Sequence, residues 1–311
     1  MTNLEKLRRT LKGLNLQGFL LPSSDEYLSE YAQPAFRRLR WATGFTGSTG
    51  TVAVLQDSAA LIVDGRYVEQ GARDTAGLGI DIVGVDNESR QAWFAAHLDP
   101  GSHLGIDGRL HPYSEMLGTI DMLAKLGIEI VDVPENPIDA LWKEGRPSEI
   151  ASPIHDYPVR FAGLSREEKC AVLGKHLTQT RADWHLIADP EDIAWLLNIR
   201  TDDSLAGVDA HPVPIPLCRA LAAATGRVHL FVDEGRIAAD LREDLLRVAS
   251  LHLPSEFESF LRENAAAKTV STNIHKIPYR FAAIVTASGS LIDDQVLALR
   301  RCAELPVERL A

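Results

Sequence analysis

The side chains with the greatest chemical potential in this sequence are acidic, basic and aromatic residues grouped near its N-terminal end. They are Asp25, Glu26, Glu30, Arg38, Trp41, Asp64, Arg66 and Tyr67. Because Glu26 and Glu30 are four positions apart, a helix would place both carboxylates on one face, where Arg38 or Arg66 could pair with them. The pattern predicts either an ion-pair network within one domain or a polar rim that faces a ligand or a partner domain.

A glycine-rich run at residues 44–50 lacks the features of a catalytic or phosphate-binding loop. It lies between a predicted helix and a predicted strand, whereas phosphate-binding loops lead from a strand into the N-terminus of a helix. Ser48 does not fit the nucleophile motif Gly-x-Ser-x-Gly, because Thr46 stands in place of the first glycine. We predict neither nucleotide binding nor a catalytic residue.

Residues that bind metals are dispersed along the chain. The ten histidines form no H-E-x-x-H motif, which would bring two of them to one helical face. The pairs at residues 202–203 and 293–294 are adjacent aspartates, and neighbouring side chains on a strand point to opposite faces. The sequence predicts no metal site in this chain.

The overall charge and apolar pattern exclude several classes of partner. The chain has 43 acidic against 32 basic side chains, a formal charge of −11, and such a balance disfavours nucleic acid. No window approaches 18 uninterrupted apolar residues, and no signal-peptide pattern is present. The three cysteines form no C-x-x-C motif. We expect a soluble, cytoplasmic protein without nucleic-acid or membrane partners.

The elements that must position the polar set follow an α/β order that occurs twice. Residues 18–22 (GFLLP) resemble residues 183–187 (DWHLI), and residues 60–66 (ALIVDGR) resemble residues 229–236 (HLFVDEGR). This similarity indicates a weak internal duplication. Each half is predicted to form a mixed β-sheet with helices on both faces.

Proline-rich sequence marks the predicted domain boundary. Five prolines occur between positions 134 and 158, where no periodicity is sustained. We predict a first domain over residues 1–140, a linker over 141–160, a second domain over 161–298 and the start of a further helix over 299–311. Residues 25–31 are predicted to form a helix with Ser23 or Ser24 as its cap.

Three blocks near the N-terminus resemble one enzyme family. Residues 23–31 (SSDEYLSEY), 38–50 (RLRWATGFTGSTG) and 63–67 (VDGRY) resemble the first domain of the Xaa-Pro aminopeptidases, the aminopeptidase P branch of the creatinase and prolidase superfamily. Residues 136–142 (NPIDALW) resemble the segment that closes this domain. Residues 193–200 (IAWLLNIR) and 213–217 (VPIPL) resemble the second domain of the three-domain forms.

The resemblance implies two tandem creatinase N-terminal-like domains. It also implies a third, pita-bread domain that binds two metal ions, usually Mn²⁺, and hydrolyses the bond before a penultimate proline. Residues 299–305 (LRRCAEL) resemble the start of the helix that enters it, and its metal ligands have no counterpart in these 311 residues. Because the metals activate the attacking water, we expect the Mn²⁺ ions only in that absent domain and no peptidase activity from this chain alone.

The family resemblance also bears on the role of the two domains. It implies that they restrict access to the active site, shape the substrate cleft and contribute to assembly, with the polar set as the rim. The leading hypothesis is a noncatalytic portion of an Xaa-Pro aminopeptidase, with a separately encoded catalytic domain or a second copy of the chain as partner. The alternatives are a free-standing binding module, a truncated inactive remnant and an unrelated metal-independent enzyme.

Overall fold

The computed structural model describes residues 1–201 and 214–302, and the chain divides into two compact units, Met1–Glu149 and Ile150–Ala311. The aspartates at 202–203, Val213 and residues 303–311 of the predicted final helix lie outside the described residues. The division falls within the stretch predicted as a linker.

The first unit contains a six-stranded sheet in the order β4-β3-β2-β1-β5-β6. Strand β2 is antiparallel to both of its neighbours, and every other pair is parallel. Its strands are β1 (Gly18–Pro22), β2 (Thr51–Leu55), β3 (Ala59–Val63), β4 (Asp81–Gly84), β5 (His103–Ile106) and β6 (Glu129–Asp132). Its helices are α1 (Asn3–Gly13), α2 (Arg38–Thr43), α3 (Val68–Asp74), α4 (Asn87–His97), α5 (Tyr113–Ala124) and α6 (Pro137–Leu141).

The second unit repeats this arrangement with the order β12-β11-β10-β8-β13-β14, and β10 is its antiparallel strand. Strands β7 (Ile154–Asp156) and β9 (Ile199–Thr201) form a separate pair. The sheet strands are β8 (Trp184–Ile187), β10 (Arg219–Ala223), β11 (Val228–Phe231), β12 (Ala249–His252), β13 (Thr269–Thr272) and β14 (Ser290–Asp293). The helices are α7 (Val159–Ala162), α8 (Arg166–Thr180), α9 (Pro190–Leu197), α10 (Ala239–Val248), α11 (Phe257–Ala265), α12 (Tyr279–Thr286) and α13 (Val296–Cys302).

The matching strand orders confirm the predicted α/β class and its two mixed sheets. The first pair of similar segments corresponds to β1 and β8, and the second pair corresponds to β3 and β11, which occupy equivalent positions in the two sheets. Each of these strands is an apolar run that is almost fully buried. Buried strands in mixed sheets show such continuous apolar runs because both faces are covered.

Helix α1 illustrates how the sequence builds the first core. Thr2 caps its N-terminus and forms a capping box with Glu5, which satisfies backbone N–H groups that the helix leaves free. Leu4, Leu7 and Leu11 lie on one face at helical spacing, and all three are buried. They pack in the same core as the strand residues of β1, β2 and β3.

The predicted helix over residues 25–31 is wrong, because this segment forms a turn. One carboxylate oxygen of Asp25 accepts hydrogen bonds from the backbone N–H groups of Tyr27 and Ser29, at 2.9 and 3.0 Å. Leu28 adopts a positive φ of 55°, which is incompatible with a right-handed helix. A short aspartate side chain that binds its own backbone in this way favours a turn over a helix.

Candidate functional site

Arg38, at the start of α2, is the centre of a buried ion-pair network. Its Nε donates to an Asp139 oxygen at 2.8 Å, and its Nη2 contacts both Asp139 and Glu26. Arg146 also binds Asp139, at 2.7 Å. Burial alone would favour neutral arginine, but the bonds to Asp139 and the charge of Glu26 raise the pKa of Arg38 above its ordinary value. Glu26 and Arg38 therefore link the segment after β1 to α6.

Asp25 lies below this surface and shapes the turn that follows β1. Its side chain is fully buried, and burial raises its pKa although two backbone N–H groups bind the carboxylate. The turn brings Ser29 and Glu30 to the wall of a cleft. Asp25 is thus a residue that positions others.

Asp64, Arg66 and Tyr67 form a second group at the end of β3. The guanidinium of Arg66 makes two hydrogen bonds to Asp64, at 3.0 and 2.8 Å, and these bonds lower the pKa of Asp64. The Arg66 side chain is 73% exposed. The Tyr67 hydroxyl is 2.7 Å from Ser48 Oγ. Exposed pairs of this kind add little to stability. The exposed Arg66 side chain is accessible to a ligand or partner.

Trp41 is separated from that exposed group. Its ring stacks on Trp142 with the ring centroids 6.1 Å apart, and its carbonyl accepts a hydrogen bond from Asn3. It packs against the apolar core that contains α1 and α6 residues. The described contacts of Trp41 are those of a packing residue.

A cleft of about 750 Å³ lies in the first unit at the carboxyl ends of the parallel strands. We call it the first-unit cleft. Pro22 at the end of β1, Val85 after β4 and His111 after β5 all line it, together with Glu30 and Arg66 from the predicted set. Its volume falls within the usual range for small-molecule sites.

The predicted set therefore does not converge on one place. Glu26 and Arg38 belong to the buried network, whereas Glu30 and Arg66 line the cleft. The cleft also contains Arg90, His111, Glu115 and Thr119, which were absent from the predicted set. The sequence did contain a signal for these cleft residues, because they follow β4 and β5 in the chain. Ligands bind beyond the carboxyl ends of strands in open α/β sheets.

The second unit has a polar cluster around Arg301 on α13. Its Nη1 lies 2.6 Å from Glu191, its Nε lies 3.4 Å from Asp192 and its Nη2 lies 3.7 Å from Asp189. Burial and the neighbouring charge of Asp189 raise the pKa of Asp192 to about 7. The cluster attaches α13 to the N-terminal end of α9, and the helix begins at Val296 rather than at the predicted position 299.

Metal ligands do not converge in the part of the chain that the structure describes. No group of three or more His, Cys, Asp or Glu side chains there could hold a metal ion, so these residues do not fit a pair of Mn²⁺ ions. Cys170 and Cys218 are buried thiols, and burial raises the pKa of each to about 12. Across residues 1–201 and 214–302, no helix has the length and apolarity needed to cross a membrane.

Two family models match this chain, one in each half. Both are described as the creatinase/prolidase N-terminal domain, and they match residues 3–141 and residues 145–302. The matched ranges contain both six-stranded sheets.

Curated relatives resemble the chain across both units. It is 34% identical over 268 residues to a probable Xaa-Pro aminopeptidase P of Coccidioides posadasii, covering 85% of this chain and 40% of the relative. It is 30% identical over 295 residues to the corresponding protein of Paracoccidioides brasiliensis, covering 93% of this chain and 46% of the relative. The chain thus spans less than half the length of these relatives.

A solved structure shares the fold over the whole chain. It is the X-prolyl aminopeptidase of Caenorhabditis elegans, described as a cytosolic enzyme with a di-nuclear active site. The TM-score is 0.87 at 24% identity, and the match covers 100% of this chain and 53% of the other. Similarity at this identity establishes the fold alone.

Proposed function

The chain belongs to the creatinase/prolidase N-terminal domain family, and we propose that its two units are the noncatalytic portion of an Xaa-Pro aminopeptidase. The observation that carries this proposal is the continuous similarity to Xaa-Pro aminopeptidases P through both units, at 85% to 93% coverage of the chain. In this proposal the units support a catalytic domain and restrict which peptides reach it.

The exposed residues of the first unit are suited to such a role. We assign the rim to Glu30, Asp64, Arg66 and Tyr67, which are accessible or partly accessible. The buried pairs of Arg38 with Glu26 and Asp139 fix the segments behind this rim. A rim with charges of both signs on a fixed support can select partners by complementary charge.

The metal chemistry of this proposal belongs to the partner catalytic domain. Two bound metal ions there would supply the activated water that attacks the peptide bond. Among the described residues of this chain, no group of His, Cys, Asp and Glu side chains could hold these ions. Their contribution is to orient the peptide and to limit its access.

A mixing experiment with a catalytic domain tests this role. The portion of one fungal relative that this chain does not match is produced separately, and its Mn²⁺-dependent hydrolysis of short and long Xaa-Pro peptides is measured with and without this chain. We expect the chain to bind the domain and to reduce hydrolysis of the long peptide relative to the short one. Arg66→Gln should weaken this effect, whereas Arg9→Gln on the exposed face of α1 should not.

The same experiment can overturn the proposal. Unchanged peptide-length preference in a mixture that does form a complex would contradict a gating role. Absence of any complex by light scattering, at concentrations where the catalytic domain is active, would contradict the supporting role.

A further inference from the structure

The first-unit cleft lies at the point where the order of the strands reverses. After β1, the chain adds β2, β3 and β4 on one side of the sheet, and it then returns to place β5 and β6 on the other side. Strands β1 and β5 are parallel neighbours, so their following segments diverge and leave a crevice. Ligands of open α/β sheets bind in such crevices.

Arg90 on α4 is a partly buried cation in this cleft without a carboxylate at ion-pair distance. Its Nη2 donates a hydrogen bond to Thr119 Oγ1 at 2.8 Å, and its Nε is buried without an acceptor among the described residues. None of the described carboxylates lies within the 4.0 Å of an ion pair with it. Partial burial lowers its pKa, and the charge of Glu115 in the same cleft opposes this shift. An unpaired, partly desolvated charge is costly, and an anionic ligand would remove that cost.

The segment after β5 adds groups suited to the two ends of a zwitterion. His111 is only 6% exposed and lines the cleft, and its Nε2 has no hydrogen-bond partner among the described residues. Burial lowers its pKa to about 4 although a ring N–H binds the backbone of Leu20, so the ring is neutral at pH 7 and its Nε2 is an acceptor suited to an ammonium group. Helix α5 starts directly behind Pro112 with no side-chain cap. Its first turn lines the cleft through Ser114, and the N-terminus of a helix favours negative charge.

Two carboxylates restrict which anion fits. Glu30 and Glu115 line the same cleft and are exposed, and neither forms an ion pair with any described residue. They would repel a doubly charged phosphate, but they would attract an ammonium group. The cleft therefore presents one cation without a close ion pair and two carboxylates, of which Glu115 acts on Arg90 from beyond ion-pair distance and Glu30 binds Tyr31.

We propose that the first-unit cleft binds a small zwitterion, an amino acid or a short peptide with free ends. Its carboxylate pairs with Arg90 near the N-terminus of α5, and its ammonium group lies beside Glu30 or Glu115. The volume of about 750 Å³ accommodates a dipeptide. This inference concerns the first unit alone and does not depend on the proposed aminopeptidase role.

Calorimetric titration of the full chain with matched probes tests the ligand class. The probes are alanyl-proline, its C-terminal amide, its N-acetyl form, free proline and inorganic phosphate. We expect alanyl-proline to bind, and both blocked forms to bind at least about tenfold more weakly because each loses one charge contact. Binding of proline at equal strength would assign the site to amino acids. Equal binding of the amide, tighter binding of phosphate, or no binding of any probe would overturn the proposal.

Variants locate the binding to Arg90. Arg90→Gln should weaken the binding of alanyl-proline at least about tenfold. Arg90→Lys should weaken this binding less, because the charge remains. Arg9→Gln is the matched control, since Arg9 is exposed on α1 and does not line the cleft.

Melting curves show whether each variant is folded. If Arg90→Gln is unfolded, Glu30→Gln and Glu115→Gln are combined, and they should abolish discrimination against the N-acetyl form. Wild-type affinity in folded Arg90→Gln, or retained discrimination in the folded double variant, would contradict the assignment.

Discussion

Arg38 donates a 2.8 Å hydrogen bond to Asp139, a residue 101 positions later in the chain. The bond connects the start of α2 to α6, and Arg38 also binds Glu26 from the turn after β1. The Arg38 side chain is only 3% exposed. Arg38 thus connects three segments of the first unit: the turn after β1, the start of α2, and α6.

Removal of Arg38 should strongly destabilise the first unit. Arg38→Ala removes the cation that binds the mostly buried Glu26, while Asp139 keeps Arg146 at 2.7 Å, so the cost should lie near the lower end of the range of about 3–5 kcal/mol for breaking a buried ion pair. Urea denaturation at pH 7, followed by tryptophan fluorescence, measures the loss. Arg66→Ala removes an exposed pair and should leave the free energy of unfolding almost unchanged. Equal costs for the two variants would contradict the structural role of Arg38.

Buried histidines should make stability fall as the pH decreases. Burial lowers the pKa of His185 to about 4, and the ring is 2.7 Å from Ser271. Between pH 6.5 and 4 the unfolded chain binds a proton at this residue that the folded chain does not bind. The free energy of unfolding therefore decreases as the pH is lowered. At pH 4 this residue has reduced it by about 3 kcal/mol.

Melting temperatures at several pH values measure this histidine effect. His185→Gln should reduce the pH dependence below pH 6.5 without abolishing it, because His111 keeps its own lowered pKa; His103→Gln, at a partly exposed ring, is the matched control. An unaltered slope in folded His185→Gln would show that the His185 ring is protonated in the folded protein.

Arg301 should determine whether α13 stays attached to the second unit. Arg301→Gln removes the cation that faces Asp189, Glu191 and Asp192. We expect faster hydrogen exchange at Val296–Cys302, while exchange in the sheet stays slow. Arg300→Gln is the matched control, because the adjacent Arg300 is exposed and forms no described ion pair. Equal exchange in both variants would rule out the anchoring role.

The described cysteines should differ sharply in reactivity. Cys302 is exposed, whereas Cys170 and Cys218 are buried, and burial raises the pKa of both buried thiols to about 12. Since the thiolate is the reactive form, a thiol reagent at pH 8 should label Cys302 first in the native protein and all three after denaturation. Mass spectrometry identifies the labelled residues, and rapid native labelling of Cys170 would contradict the described core.

The strands were predictable from sequence because they are local apolar runs. Residues 60–63 and 229–232 are almost continuously apolar, and both become buried strands of equivalent sheets. The turn at Asp25 was mispredicted, since its side chain binds the backbone of Tyr27 and Ser29. The helical spacing of residues in the sequence does not reveal a hydrogen bond between a side chain and its neighbouring backbone.

The site was harder to predict, because its residues meet only through the sheet order. Arg90 and Thr119 lie on α4 and α5 and are hydrogen-bonded across 29 positions. Arg38 meets Asp139 across an even longer separation. Local periodicity identifies neither pair, so the polar set in the sequence joined residues that the fold separates into a buried network and a cleft.

The most direct test of the noncatalytic assignment is a turnover assay on the purified chain. The chain is incubated with an Xaa-Pro peptide and added Mn²⁺, and release of the N-terminal residue is followed by mass spectrometry beside an active full-length relative. The account predicts no release above the rate of a chelator-treated sample. Robust, chelator-sensitive release by the chain alone would contradict it.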